Sequence, residues 1–307
     1  MARVLTLMGP TAAGKTETAL RVADAVDVDI ISVDSSMIYR GMDVGTAKPD
    51  GPTLAKYPHA LVDVREPSEV YSAAEFVADA DLLVVRALER NRVPLLVGGT
   101  MLYFKAFRDG LSNLPSADAA LRAQLSAEAR QRGWPAMHEM LRAVDPLAAQ
   151  RIHPNNPQRI ARALEVYRAS GKPMSQWFEE SRGRSASERL GVDVVETVLE
   201  VGSRKSLHEI IGTRFDAMLD AGLVEEVRCL RGLAGVDVTK PSARSVGYRQ
   251  VWAYLDGRYG FDEMRERGVI ATRQLAKKQL TWLRRWPDVT HLEAQPRKAA
   301  GAILKLL

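Results

Sequence analysis

Eight residues near the start of the chain, Gly9-Pro10-Thr11-Ala12-Ala13-Gly14-Lys15-Thr16, fit the phosphate-loop pattern G-x-x-x-x-G-K-[ST] at every fixed position. Glycines let backbone N–H groups converge on phosphate oxygens, Lys15 adds a mobile cation, and Thr16 offers a hydroxyl to Mg²⁺. The apolar run Val4-Leu5-Thr6-Leu7-Met8 supplies the preceding strand, and a helix-forming stretch from residue 17 to 25 adds its positive end. This octapeptide predicts a site for a diphosphate or triphosphate, hence a nucleotide-type loop that could hold ATP. Mg²⁺ is the only metal expected, because His59, His138, His153, His208 and His291 show no metal-ligand spacing.

Asp34 follows a second apolar run, Asp29-Ile30-Ile31-Ser32-Val33, and so belongs at the carboxyl end of a parallel strand beside the phosphate loop, the edge where open α/β sheets bind ligands. On position alone it is either a carboxylate reaching a substrate or a cap for the next helix. A further run ends Leu95-Leu96-Val97-Gly98-Gly99-Thr100, where phosphate-loop ATPases usually carry an Asp for Mg²⁺. Those glycines make either a close backbone approach to a ligand, with the Thr100 hydroxyl beside it, or an ordinary tight turn.

Basic residues lie elsewhere. Residues 1–115 carry 12 Lys/Arg against 15 Asp/Glu, whereas residues 116–307 carry 31 against 23. Asn155-Asn156-Pro157 predicts a capped helix start, with Gln158-Arg159-Ile160-Ala161-Arg162 as its first turn. Ile160, Leu164 and Tyr167 share a face, leaving Arg159 and Arg162 opposite, either against a nucleic-acid backbone or simply in solvent. Arg273, Lys277 and Arg284 fall on one helical stripe beside Trp282.

The elements that must position these groups follow from periodicity. Strands are predicted at 3–8, 29–33, 60–64 and 93–97, with helices at 15–25 and 73–90, the alternation of a parallel sheet covered by helices. From 115 to 190 the chain is Ala-, Arg- and Glu-rich with helical spacing, which predicts an all-helical insertion between two parts of the core, 1–114 and 191–307. A β run at 194–201 returns to the sheet, and the remainder reads as helical, longest over 261–286. A chain of 307 residues, 46% hydrophobic, can bury a large core. The single cysteine, Cys229, excludes an internal disulfide and a Cys-based zinc site. Neither a signal peptide nor a membrane span is expected, and the cytoplasm is the natural compartment.

On these residues alone, a small-molecule kinase with a basic helical lid and a transferase acting on nucleic acid stay equally open. An RNA-binding module switched by nucleotide would leave Asp34 unexplained.

Taken together, Gly9–Thr16, the stretch from Asp34-Ser35-Ser36-Met37 to Gly45-Thr46-Ala47-Lys48-Pro49, Val97-Gly98-Gly99-Thr100-Met101-Leu102-Tyr103, and Asn156-Pro157-Gln158-Arg159-Ile160-Ala161-Arg162-Ala163-Leu164-Glu165 closely resemble the bacterial tRNA dimethylallyltransferase (tRNA isopentenyltransferase) family. Ser245-Val246-Gly247-Tyr248-Arg249-Gln250 and the run from Ala271-Thr272-Arg273 to Trp282-Leu283-Arg284 continue the resemblance, so it spans nearly the whole chain.

That resemblance implies a P-loop NTPase-like α/β core. It also implies transfer of a dimethylallyl group from dimethylallyl diphosphate to N6 of adenosine 37, in the anticodon stem-loop of tRNA, with Mg²⁺. It assigns Gly9, Pro10, Thr11, Ala12, Ala13, Gly14, Lys15 and Thr16 to the diphosphate. Asp34 becomes the base, and Arg214 joins Lys15 on the leaving group. Asp34, Ser35, Ser36, Met37, Thr100, Arg122, Gln158, Arg159, Ile160, Ala161 and Arg162 are the tRNA-binding positions it implies, and the basic residues Arg244, Arg249, Arg273, Lys277 and Arg284 are expected to bind tRNA with them. Some relatives have Gln where Met37 stands, so no polar contact is assigned to Met37. A monomer is expected.

Overall fold

The computed structural model describes all residues except 113, 117, 181 and 182. Two compact units result, one of residues 1–108 and 186–307, the other of residues 109–185.

The first unit begins β1 (Ala2–Met8), α1 (Lys15–Ala23), β2 (Val28–Val33), α2 (Gly51–Lys56), β3 (His59–Ala60), α3 (Ala73–Glu89), β4 (Val93–Gly98) and α4 (Met101–Asp109). The second unit holds α5 (Ala119–Val144), α6 (Pro146–Arg151), α7 (Pro157–Ser170) and α8 (Met174–Glu180). The chain then returns through α9 (Ala186–Leu190), β5 (Val192–Glu200), α10 (Arg204–Asp220), α11 (Leu223–Arg231), α12 (Tyr248–Leu255), α13 (Phe261–Leu283), β6 (Thr290–Glu293) and α14 (Pro296–Leu304).

The six strands form one parallel sheet in the order β3-β2-β4-β1-β5-β6. β1 is apolar on both faces because both are covered, as parallel sheets require. Leu5 and Leu7 pack with Ala19 and Val22 of α1 and with Ala299 and Ile303 of α14. Val4 and Met8 face the larger core with Phe76, Phe104, Phe215 and Tyr248. The fold is the α/β, P-loop-type core that the pattern predicts, and the carboxyl ends of β1, β2 and β4 meet at one edge.

Two strand expectations need correction. The strand predicted at 60–64 stops at Ala60, since Leu61 (φ 62°) and Asp63 (φ 56°) adopt left-handed backbone that no ladder accommodates. The region after 201 is not wholly helical, because β6 adds a short edge strand parallel to β5. The first unit reclaims the chain at 186, ahead of the predicted 191: Ala186 is fully buried in its core and Arg189 pairs with Asp81 at 2.8 Å.

In the second unit, α5 and α7 pack through Leu125, Met137, Leu141, Ile160 and Leu164. Gly133, at φ 77°, kinks α5. Asn156 caps α7 by accepting from the Arg159 amide at 3.3 Å, with Pro157 at the first helical position, as the sequence predicts. Its described residues contain only helices. Among the described residues of the whole chain, no helix is long and apolar enough to cross a membrane.

Candidate active site

A cavity of about 830 Å³ opens at the carboxyl edge of the sheet in the first unit. Thr11 to Thr16, Asp34 to Met37, Gly98 to Thr100, and Arg214, Arg244 and Gln279 are among the residues that line it.

The phosphate loop is built for an anion. Gly14 caps α1 in the left-handed conformation (φ 81°), and Ala12 is held there too (φ 65°). Such strain in a non-glycine residue persists only where surrounding contacts impose it, and it is characteristic of functional loops. Among the described residues, the amides of Ala12, Gly14, Lys15 and Thr16 make no hydrogen bond within the chain. These free donors stand at a helix N-terminus, where the helix dipole favours negative charge. Thr18 Oγ1 donates to Gly14 O at 2.9 Å and tightens the first turn.

Lys15 turns its ammonium back to Pro10 O at 2.7 Å. Burial pushes its pKa down to about 8; the charge of Asp34 opposes that fall and Arg214 adds to it. Burial likewise lowers Arg214, again against the pull of Asp34. Asp34 thus faces two cations that have lost much of their water, and any polyanion entering the cavity relieves that loss.

Asp34 caps no helix, since the next one, α2, is capped by Asp50; its carboxylate instead holds a turn. Oδ1 accepts from the amides of Ser36 (2.8 Å) and Met37 (3.3 Å), capping the turn that follows β2. Oδ2 makes no hydrogen bond among the described residues. The carboxylate is therefore oriented through one oxygen and left with a free acceptor.

The glycine turn after β4 is set by the protein's own atoms. A Cβ at Gly98 would lie 2.1 Å from Val33 O, and one at Gly99 would lie 2.5 Å from Gln279 Nε2. Thr100 Oγ1 accepts from the Ser35 amide at 3.1 Å, tying this turn to the one that holds Asp34. Ser36 Oγ and Ser245 Oγ lie 3.1 Å apart.

Several contributors escape sequence reading. Gln279, buried on α13, accepts from the Thr11 amide and donates to Gly99 O, each at 2.9 Å. Glu226 accepts from three successive amides, Asp43 (2.8 Å), Val44 (2.7 Å) and Gly45 (3.0 Å), and from Tyr248 Oη, fixing a loop that walls the cavity. Lys278, Leu275, Phe215 and Met218 also line it. On α13 the cavity meets positions 272, 275, 278, 279 and 282, while Arg273 of the charged stripe turns to His208 O (3.3 Å) on α10. Lys277 and Arg284 are exposed.

Other expected tRNA positions divide by exposure. Gln158, Arg159, Arg244 and Arg249 are exposed, whereas the Ile160 side chain lies wholly in the core of the second unit and Ala161 is half-buried. Arg122 and Arg162 both close on buried Glu165, each at 2.9 Å.

The profile of the family described as IPP transferase matches residues 37–286. A tRNA dimethylallyltransferase from Thiobacillus denitrificans is 54% identical over 94% of this chain and 90% of its own length. A tRNA dimethylallyltransferase 2 from Hahella chejuensis is 49% identical over 98% of this chain and 93% of its own. The crystal structure of a full-length tRNA isopentenylpyrophosphate transferase from Bacillus halodurans, 34% identical, superimposes with a TM-score of 0.70 over 99% of this chain and 96% of that one. A eukaryotic dimethylallyltransferase acting on tRNA, 21% identical, shares the fold with a TM-score of 0.80 over 99% of this chain and 78% of that one. A profile match over most of the chain, joined to half-identical relatives aligned nearly end to end, places it in the IPP transferase family.

Proposed function

We propose that this chain transfers the dimethylallyl group of dimethylallyl diphosphate to N6 of adenosine 37, beside the tRNA anticodon, and releases diphosphate. The observation that carries this reading is the free Oδ2 of Asp34 in one cavity with the desolvated cations Lys15 and Arg214. The exocyclic amine of adenine is a poor nucleophile, because its lone pair is delocalised into the ring. A carboxylate on its N–H removes the proton as the C–N bond forms. The allylic C–O bond breaks with its electrons on the diphosphate oxygen, where Lys15, Arg214 and the free loop amides stabilise the charge. The proton ends on Asp34 Oδ2, so one bond to carbon replaces another and no oxidant or nucleotide is consumed.

Mg²⁺ would sit against Thr16. That residue is exposed, and its hydroxyl, a hard oxygen donor, makes no hydrogen bond among the described residues. Mg²⁺ favours oxygen donors and keeps several waters beside substrate phosphate oxygens, so a hydroxyl oxygen is a compatible partner. Bound there, it would supply further neutralisation of the leaving diphosphate. Among the described residues no group of three or more His, Cys, Asp or Glu could hold another metal.

For the tRNA, the exposed groups proposed as contacts are Arg244, Arg249, Lys277 and Arg284 in the first unit, with Ser35 and Thr100 at its cavity, and, separately, Gln158 and Arg159 in the second. The base must leave its stack to enter the cavity, at modest cost in a loop. A monomer working in the cytoplasm completes the proposal. Purified protein mixed with an unmodified anticodon stem-loop and dimethylallyl diphosphate tests it. Mass spectrometry of loop fragments should find one five-carbon addition on adenosine 37, and an unmodified loop, or addition at another base, overturns it.

A further inference from the structure

Gln279 joins the two walls of the cavity. Its Oε1 accepts from the Thr11 amide of the phosphate loop, and its Nε2 donates to Gly99 O at the end of β4, each at 2.9 Å. Only this orientation of the amide satisfies both partners, since a backbone N–H needs an acceptor and a carbonyl needs a donor. The side chain is buried, and its fit against Gly99 leaves no room there for a Cβ, which would meet Nε2 at 2.5 Å. The connection continues. Thr100, the next residue, accepts from the Ser35 amide at 3.1 Å through Oγ1 and donates its own amide to Val33 O at 3.2 Å. Asp34 lies between Val33 and Ser35. A covalent and hydrogen-bonded path therefore runs from the loop that holds the leaving group to the carboxylate that takes the proton.

We infer that Gln279 is a positioning residue for prenyl transfer: it sets the spacing between the diphosphate bound by the loop and the base Asp34. It touches neither reacting atom. Its action lies in the barrier, because the reacting carbon and nitrogen must meet at contact distance, and a misplacement of about 1 Å can cost on the order of a hundredfold in rate. Ground-state binding should change little, since the free loop amides, Lys15 and Arg214 remain.

The inference rests on the transferase reading above, and the two fail differently. If that reading is wrong, the wild type does not turn over. If this inference is wrong, the wild type turns over and the variants match it. The experiment compares wild type, Gln279→Met (similar in size, lacking both hydrogen bonds), Gln279→Glu (keeping the acceptor towards Thr11) and Gly99→Ala (which displaces Gln279 from outside). Single-turnover rates are read with saturating dimethylallyl diphosphate and anticodon stem-loop, alongside the Kd of each substrate. Gln279→Met should lose about ten- to a hundredfold in rate with each Kd within about threefold, and Gln279→Glu, which sets a carboxylate oxygen against Gly99 O, should lose at least as much. Gly99→Ala should show the same split, and the double variant should be no slower than the worse single, because both break one link. A wild-type rate in Gln279→Met, a loss carried wholly by the diphosphate Kd, or additive losses in the double variant would each overturn the inference. Should Gln279→Met not fold, Gly99→Ala and Gln279→Glu carry the same comparison.

Discussion

The Arg162 guanidinium donates from Nη1 to Glu165 Oε2 at 2.9 Å, one turn along α7, and Glu165 is buried. Arg162 also donates from Nη2 to Pro115 O at 2.8 Å, while Arg122 and the Asp118 amide reach the other oxygen of Glu165, each at 2.9 Å. A carboxylate taken out of water needs these donors, so Arg162 is committed to holding its own unit together. Its neighbour Arg159 is exposed and has no such duty.

The two arginines should therefore separate on mutation. Arg159→Ala should weaken tRNA binding and lower its salt slope by about one unit, as loss of one phosphate contact does, with the thermal midpoint unchanged. Arg162→Ala should destabilise the helical unit by about 1–3 kcal/mol, because the buried Glu165 carboxylate loses a donor. Urea unfolding beside salt-dependent binding distinguishes them. An Arg162→Ala protein as stable as wild type would contradict the assignment.

Asp34 invites a similar division. Asn at that position keeps an oxygen for the Ser36 and Met37 amides, so the turn survives while the base is lost. Asp34→Asn should slow single-turnover transfer by about a hundredfold or more, with tRNA affinity little changed. Asp34→Ala, which gives up the turn as well, should be at least as slow and less stable. A near-normal rate in either variant removes Asp34 from the chemistry.

Lys15 should make diphosphate affinity depend on pH. Burial holds its ammonium at about 8 in the free protein, and a bound diphosphate raises that value. Below about pH 8 the group is charged before and after binding, so affinity is flat. Above that, binding must take up a proton, and Kd for dimethylallyl diphosphate should rise by up to about tenfold per pH unit. Lys15→Arg should bind without this inflection. Titration calorimetry in buffers of different ionisation enthalpy would report the proton uptake, and its absence near pH 9 would refute the assignment.

The sequence reveals what is local. A phosphate loop is contiguous, Asp34 follows an apolar strand directly, and Asn156-Pro157 announces its helix, so each is legible from its neighbours. The short edge strand Thr290–Glu293 is not, because only Leu292 of its four residues is buried and an alternation that brief has no contrast. Nor could a strand break at Leu61 be seen, since nothing in an apolar residue signals left-handed backbone. Gln279 and Glu226 are least legible of all. Gln279 meets Thr11 across 268 positions and Glu226 meets Val44 across 182, and pairings at such separations exist only once the sheet has folded. On α13 the arginine and lysine stripe stands out in the sequence by charge, whereas Gln279, which meets the cavity, carries none.

What the phosphate loop serves is the remaining question its sequence leaves open, since the same octapeptide grips ATP elsewhere. Here β4 ends in Gly98 and Gly99, and both are fixed by the protein's own packing against Val33 O and Gln279, so this strand end has no place for the Asp that supports Mg²⁺ in phosphoryl transfer. Lys15, Arg214 and the free amides suit a departing diphosphate, and Asp34 suits an amine losing a proton. The loop should therefore serve substitution at carbon. Wild type should modify an anticodon stem-loop with dimethylallyl diphosphate in the complete absence of ATP, and Lys15→Ala should abolish that transfer. Chelating Mg²⁺ should slow the reaction of the wild type. An absolute ATP requirement, or one ADP released per modified adenosine, would instead return the loop to phosphoryl transfer, and Asp34 would then have to be reread as the cap of its turn alone.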